Sequence, residues 1–88
     1  MNEQTVKLEY PVDAGGERVT ELRLRRPRVK DMKAMMAGEN DFDQAAILVS
    51  RLSDQPLAVI ENLDAADFER VNEVVADFLP AGRKTGRS

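Results

Sequence analysis

Two stretches of alternating sequence flank a double glycine, and they constrain the fold more than anything else in the chain. In "TVKLEYPV", residues 5–12, Val6, Leu8, Tyr10 and Val12 are apolar, with Lys7, Glu9 and Pro11 between them. After "DAGGER", Thr20, Leu22 and Leu24 alternate with Glu21, Arg23 and Arg25. A period of two marks a strand with one buried face, and Gly15-Gly16 is turn chemistry. Pro11 has no N–H to give a ladder, which predicts an edge strand or a bulge there. A two-residue turn at Gly15-Gly16 would set Leu8 opposite Arg23. The apolar pattern therefore predicts a loop centred on Gly16, pairing Leu8 with Leu24 and Tyr10 with Leu22. A two-stranded hairpin is not stable alone in water, so the rest of the chain must cover its apolar face.

The rest of the chain reads as helical. Pro27 ends the second strand, and Val29, Met32 and Met36 then recur at helical spacing up to Gly38, a good stop. Asp41 is the expected cap of a second helix, with Gln44 three residues on. Its stripe is Phe42, Ala45, Ala46, Val49 and Leu52, widened by Ile47 and Leu48. Pro56 suits the first position of a short third helix carrying Leu57, Ile60 and Leu63. Asp64 caps a fourth, and Asp67 in its first turn favours the positive helix end. Phe68, Val71, Val75, Phe78 and Leu79 share one face before Pro80 and Gly82. The expected fold is α+β, an N-terminal β-hairpin followed by a bundle of about four short helices. Residues 1–80 are expected to form a single domain. Residues 81–88, "AGRKTGRS", offer no apolar anchor and are expected to be a disordered basic tail.

The residue inventory narrows the chemistry. There is no cysteine and no histidine, so there is no disulfide framework, thiol nucleophile or imidazole for proton transfer near neutral pH. Ser50 and Ser53 lack a histidine partner. "DAGGE" lacks the glycine spacing and Lys-Ser/Thr ending of a phosphate loop. "ENDFD" lacks the spaced ligands of a calcium loop, and helix capping accounts for it. We expect no enzyme activity, no cofactor and no metal. No apolar run approaches about 18 residues, so no membrane span is expected. The first residues lack the basic and apolar stretches of a signal peptide, which makes a cytoplasmic location the expectation.

Charge is unevenly spread. Within residues 23–33, Arg23, Arg25, Arg26, Arg28, Lys30 and Lys33 face only Asp31, whereas residues 34–80 hold ten acids against Arg51 and Arg70. A basic neck invites a nucleic-acid reading, but single-strand binders interleave basic residues with stacking aromatics, and this stretch has none. Arg23 and Arg25 sit on the solvent face of a strand. Arg28, Lys30 and Lys33 start a helix, where positive charge is mildly unfavourable. The acidic half would repel phosphate. The neck thus reads mainly as structural or as a surface for a protein partner, with a small nucleic-acid-associated regulator using residues 23–33 as the alternative. Met32, Met35 and Met36 add adaptable apolar surface. Met35 and Met36 point about 100° apart on a helix, so one can face the core while the other is free outside. The competing account is that all three fill gaps in a small core.

The order of these features resembles the tail assembly chaperones of Mu-like and related long-tailed phages. The family pattern is a strand with Leu-x-Leu-Arg, a basic residue and proline, then a helix start of the Val-x-Asp type. A Leu…Pro-Leu…Leu-x-x-Asp-aromatic-x-x-hydrophobic segment follows. It falls here on Leu22, Leu24, Arg25, Pro27, Val29, Asp31, Leu52, Pro56, Leu57, Leu63, Asp67, Phe68 and Val71, within about residues 5–80. Arg28 stands where the family often has a small polar residue, and Asp54-Gln55 where it often has glycine. The resemblance implies a protein that binds the long, aggregation-prone tape measure protein in the infected cell. It would keep that client soluble until tail tube subunits polymerise, and be absent from the finished virion. It also implies contact with the tail tube protein through a frameshift-extended form. Placement along the chain, rather than the family, nominates Arg25, Arg28, Met32, Met35 and Met36 as partner-binding residues. Self-association through an exposed hairpin edge is a further expectation.

Overall fold

The computed structural model describes residues 3–79. The expectations for Pro80, Gly82 and the tail lie outside the described residues. The order is β1 (Glu3–Ala14), β2 (Glu17–Arg25), α1 (Val29–Met35), α2 (Asp41–Ser53), α3 (Leu57–Glu61) and α4 (Ala65–Phe78). This is the expected α+β arrangement, a two-stranded antiparallel hairpin and then four helices. The strands form one layer and the helices the other. α2 is central: it packs on β2 and on each of the other helices, while α3 and α4 reach β1. Leu22 and Leu24 from the hairpin join Val49 and Leu52 of α2 and Val71 and Val75 of α4 in one buried cluster. The spacings of three and four put each helical pair on one face, so both helices cover the hairpin.

The register differs from the sequence expectation. Gly15 and Gly16 form a two-residue turn, with Ala14 opposite Glu17 and φ of 55° and 87° at the glycines. Two positive φ values in succession suit a tight hairpin turn and favour glycine. Val12 then faces Val19, whereas beyond the next residues Lys7 faces Glu21 and Val6 faces Leu22. Leu8 to Pro11 therefore lie opposite Thr20 alone, a bulge that offsets β1 by three residues. An odd offset exchanges the inward and outward sides of the partner strand. Val19 is buried near the turn and Leu22 and Leu24 beyond it, while Thr20 and Tyr10, both expected inside, are exposed. Pro11 did mark the irregular position.

Helix ends deviate by single residues. Asn40, not Asp41, caps α2, its Oδ1 accepting from the Asp43 N–H at 2.9 Å. Pro56 is the cap of α3 rather than its first residue. Asp64 caps α4 as expected, accepting from the Ala66 N–H. Gly38 acts differently from a left-handed helix stop. Its φ is not positive; instead a Cβ there would lie 2.6 Å from the Gln44 backbone nitrogen. The left-handed residue is Asp54, with φ 59° and ψ 37° at the end of α2. It lies in the stretch where the resembled family often carries glycine.

Candidate functional site

Asp31 is 0% exposed and gathers the basic neck around it. Arg25 donates to both of its oxygens, at 2.8 and 3.0 Å, in a forked pair. Arg51 from α2 donates through Nε at 2.9 Å, and the Arg28 backbone N–H at 2.8 Å. Arg25 also reaches the Arg51 carbonyl. One carboxylate thus ties the end of β2, the start of α1 and the last turn of α2 together. The Arg25 hydrogen bonds hold Asp31 well below the usual carboxylate range; burial opposes them, and Arg28 and Arg51 add to them. Asp31 in turn raises the Arg25 pKa, against burial of that side chain.

A second buried carboxylate closes the strand bulge. Asp67, 1% exposed, accepts from the N–H groups of Glu9 and Tyr10, at 3.1 and 3.0 Å. Arg70, one helical turn on, donates to Asp67 and to the Lys7 carbonyl. Residues in a bulge lose ladder partners, and buried backbone groups need replacements. Burial would raise the Asp67 pKa, but the two amides and Arg70 outweigh it and the net shift is downward. Its role is thus a long-range bond rather than the helix-end charge expected from sequence. The ionisable groups with resolved shifts, Arg25, Asp31 and Asp67, all serve these two internal clamps.

What remains outside is apolar and basic. The turn from β2 into α1 and the end of α4 form an open groove of about 620 Å³, walled by Pro27, Val29, Met32, Phe78 and Leu79. Arg26, Arg28 and Asp77 line its rim. The Arg26 guanidinium lies over the Phe78 ring, 5.4 Å from its centroid. Val29 is 77% exposed and Met36 72% exposed. The helical stripe of Val29 and Met36 therefore faces solvent rather than the core, because α1 turns Asp31 inward to meet its two arginines. Phe42, expected in the buried stripe of α2, is likewise 77% exposed.

The five residues nominated from sequence divide. Arg28 and Met32 line the groove together, Met32 half-buried against the core. Met36 is exposed beyond the end of α1, while Met35 packs against the core. Arg25 is half-buried and holds Asp31. Sequence reasoning missed Arg26 and Phe78 as groove residues. It named Asp31 as the lone acid of the basic neck and Asp67 as a helix-end charge, and both within the family pattern, where the signal was present: a charged residue at a fixed place beside apolar ones. Among the described residues no group of three acidic, histidine or cysteine side chains comes together to hold a metal. No helix is long and apolar enough to cross a membrane, among the described residues.

A hairpin locked onto helices by two internal charge clamps, with large apolar side chains left outside, has the build of a small protein-binding module. Residues 5–80 match the family described as phage tail assembly chaperone proteins, E, or 41 or 14, and the chain belongs to that family. Its role is accordingly that of a phage tail assembly chaperone, which implies interaction with tail proteins. Neither the curated proteins nor the solved structures gave a match.

Proposed function

We propose that this chain binds the tape measure protein and keeps it soluble while the tail assembles, without catalysing a reaction. It acts in the cytoplasm of the host cell and leaves before the virion is complete. The observation that carries this reading is the set of large apolar side chains left outside a charge-locked core, Val29 and Met36 above all. A long helical client with exposed apolar stripes needs such a surface to cover it, and methionine adapts to stripes of varied shape. Arg28, Met32 and Met36 contact the client. Arg25 and Met35 act behind them, the first by fixing Asp31 and with it the start of α1, the second by packing α1 on the core.

The nucleic-acid alternative is weakened by the same geometry. Arg25 and Arg51 spend their charge on Asp31, and the ring of Phe78 beside the neck is covered by Arg26 rather than open to a base. Co-expression with the tape measure protein of the same tail gene cluster tests the proposal. The client is expected in the soluble fraction, bound to this chain, and in the pellet without it. A client equally insoluble with and without this chain would remove the reading.

A further inference from the structure

We propose that the groove between the start of α1 and the end of α4 seats the apolar stripe of an amphipathic helix flanked by carboxylates, and that this helix is a segment of the tape measure protein. The inference rests on the client reading above and gives it a site. The apolar walls come from Pro27, Val29 and Met32 on one side and Phe78 on the other. Val29 is exposed and Pro27, Met32 and Phe78 are half-buried along an open groove, so a ligand has to supply its own second face. A groove of this size takes the side chains of one helix face over roughly two turns.

Charge decides what lies beside that face. The exposed cations Arg28, Lys30 and Lys33 run from the groove along α1. The acid within that run, Asp31, is fully buried and already bound by two arginines, so it does not offset them at the surface. Arg26 uses one donor on the Phe78 carbonyl and stacks on the ring, which holds its guanidinium at the rim with donors to spare. Asp77 contributes one negative charge to the same rim. The surface is therefore apolar with a positive border, and the helix that complements it carries Glu or Asp on either side of its stripe. Phe42, exposed outside the groove, is bordered by Asp41 and Asp43, whose charges would repel such a helix.

Three variants test this in co-expression and pull-down with the tape measure protein. Val29→Asp puts a charge in the apolar wall, Arg28→Glu reverses the rim, and Phe42→Asp is a control of equal exposure outside the groove. All three side chains are exposed, and circular dichroism and melting confirm that each variant folds. The expected result is retention of the client falling about tenfold or more with Val29→Asp and roughly five- to tenfold with Arg28→Glu. Retention with Phe42→Asp stays at the wild-type level. Wild-type retention that neither groove variant reduces overturns the groove assignment and leaves the client reading standing. Loss of retention with Phe42→Asp alone moves the site to the acidic end and also overturns it. Wild-type self-association abolished by Val29→Asp and unaffected by Phe42→Asp gives the groove to a second copy. Retention that nuclease treatment abolishes gives it to nucleic acid. Either result rejects the proposal. No client retained by the wild type overturns the client reading itself, and the groove assignment with it.

Discussion

The carboxylate of Asp67, in the first turn of α4, lies 3.0 Å from the backbone nitrogen of Tyr10, 57 residues earlier in the chain. That bond, with its neighbour at Glu9, lets a three-residue offset exist inside the hairpin without stranding its amides. It also fixes α4, and so one wall of the groove, to the sheet.

Removing Asp67 leaves both amides and Arg70 without their acceptor. Asp67→Ala is expected to cost roughly 2–4 kcal/mol, within the range for breaking a buried charged hydrogen-bond set. Arg70→Ala costs less, because its side chain is 42% exposed and can return to water. The two residues act on one group, so the double variant is expected to fall short of the sum of the singles. Urea unfolding of the four proteins measures this, and strict additivity would deny the coupling.

Acid should loosen both clamps. The folded pKa values of Asp31 and Asp67 are depressed below an unfolded value near 3.9. Their contribution is therefore complete above about pH 5 and is lost as pH falls through about 4 and below. The urea midpoint is expected to stay level from pH 7 to 5 and to drop below about pH 4. Asp31→Asn is expected to lower the midpoint at pH 7 and to flatten the acid slope. An unchanged slope in that variant would mean Asp31 is not among the groups that titrate.

Gly38 is expected to tolerate no side chain. A Cβ there would meet the backbone of Asp43 and Gln44 at 2.9 and 2.6 Å, and backbone yields less readily than a flexible side chain. Gly38→Ala should cost about 1–3 kcal/mol through forced separation of the α1–α2 turn from α2. Thermal melting reads the loss; a variant as stable as the parent would show that the turn has room to move.

Asp54 should gain from becoming glycine. Its left-handed backbone, φ 59°, is one that glycine adopts without the Cβ penalty. Asp54→Gly is expected to raise stability by about 0.5–1 kcal/mol, seen as a higher urea midpoint with unchanged slope. A lower midpoint would show that the aspartate side chain contributes more than its backbone costs.

Much of the architecture was legible along the chain. Alternation about Gly15-Gly16 located the hairpin, Pro11 marked its irregular stretch, and the apolar spacing of residues 41–79 located three of the helices near their observed bounds. Asp64 announced its own cap. The site was only partly legible. Arg28, Met32 and Met36 were visible as unusual residues in a basic neck, but Arg26 and Phe78 belong to the groove only because the end of α4 returns beside the start of α1. Val29 and Met36 have the spacing of a core stripe and lie outside it.

The division has a physical cause. Periodicity, turn chemistry and capping act between residues a few positions apart, so the sequence by itself determined which segments are strand and which are helix, and their order. The register of the hairpin, the rotation of α1 and the groove depend on bonds between distant residues, Asp31 with Arg51 and Asp67 with Tyr10. Those bonds stabilise nothing until packing excludes water from the carboxylates. Only the tertiary structure could therefore turn Asp31 inward and, by the same rotation, leave Val29 and Met36 facing out.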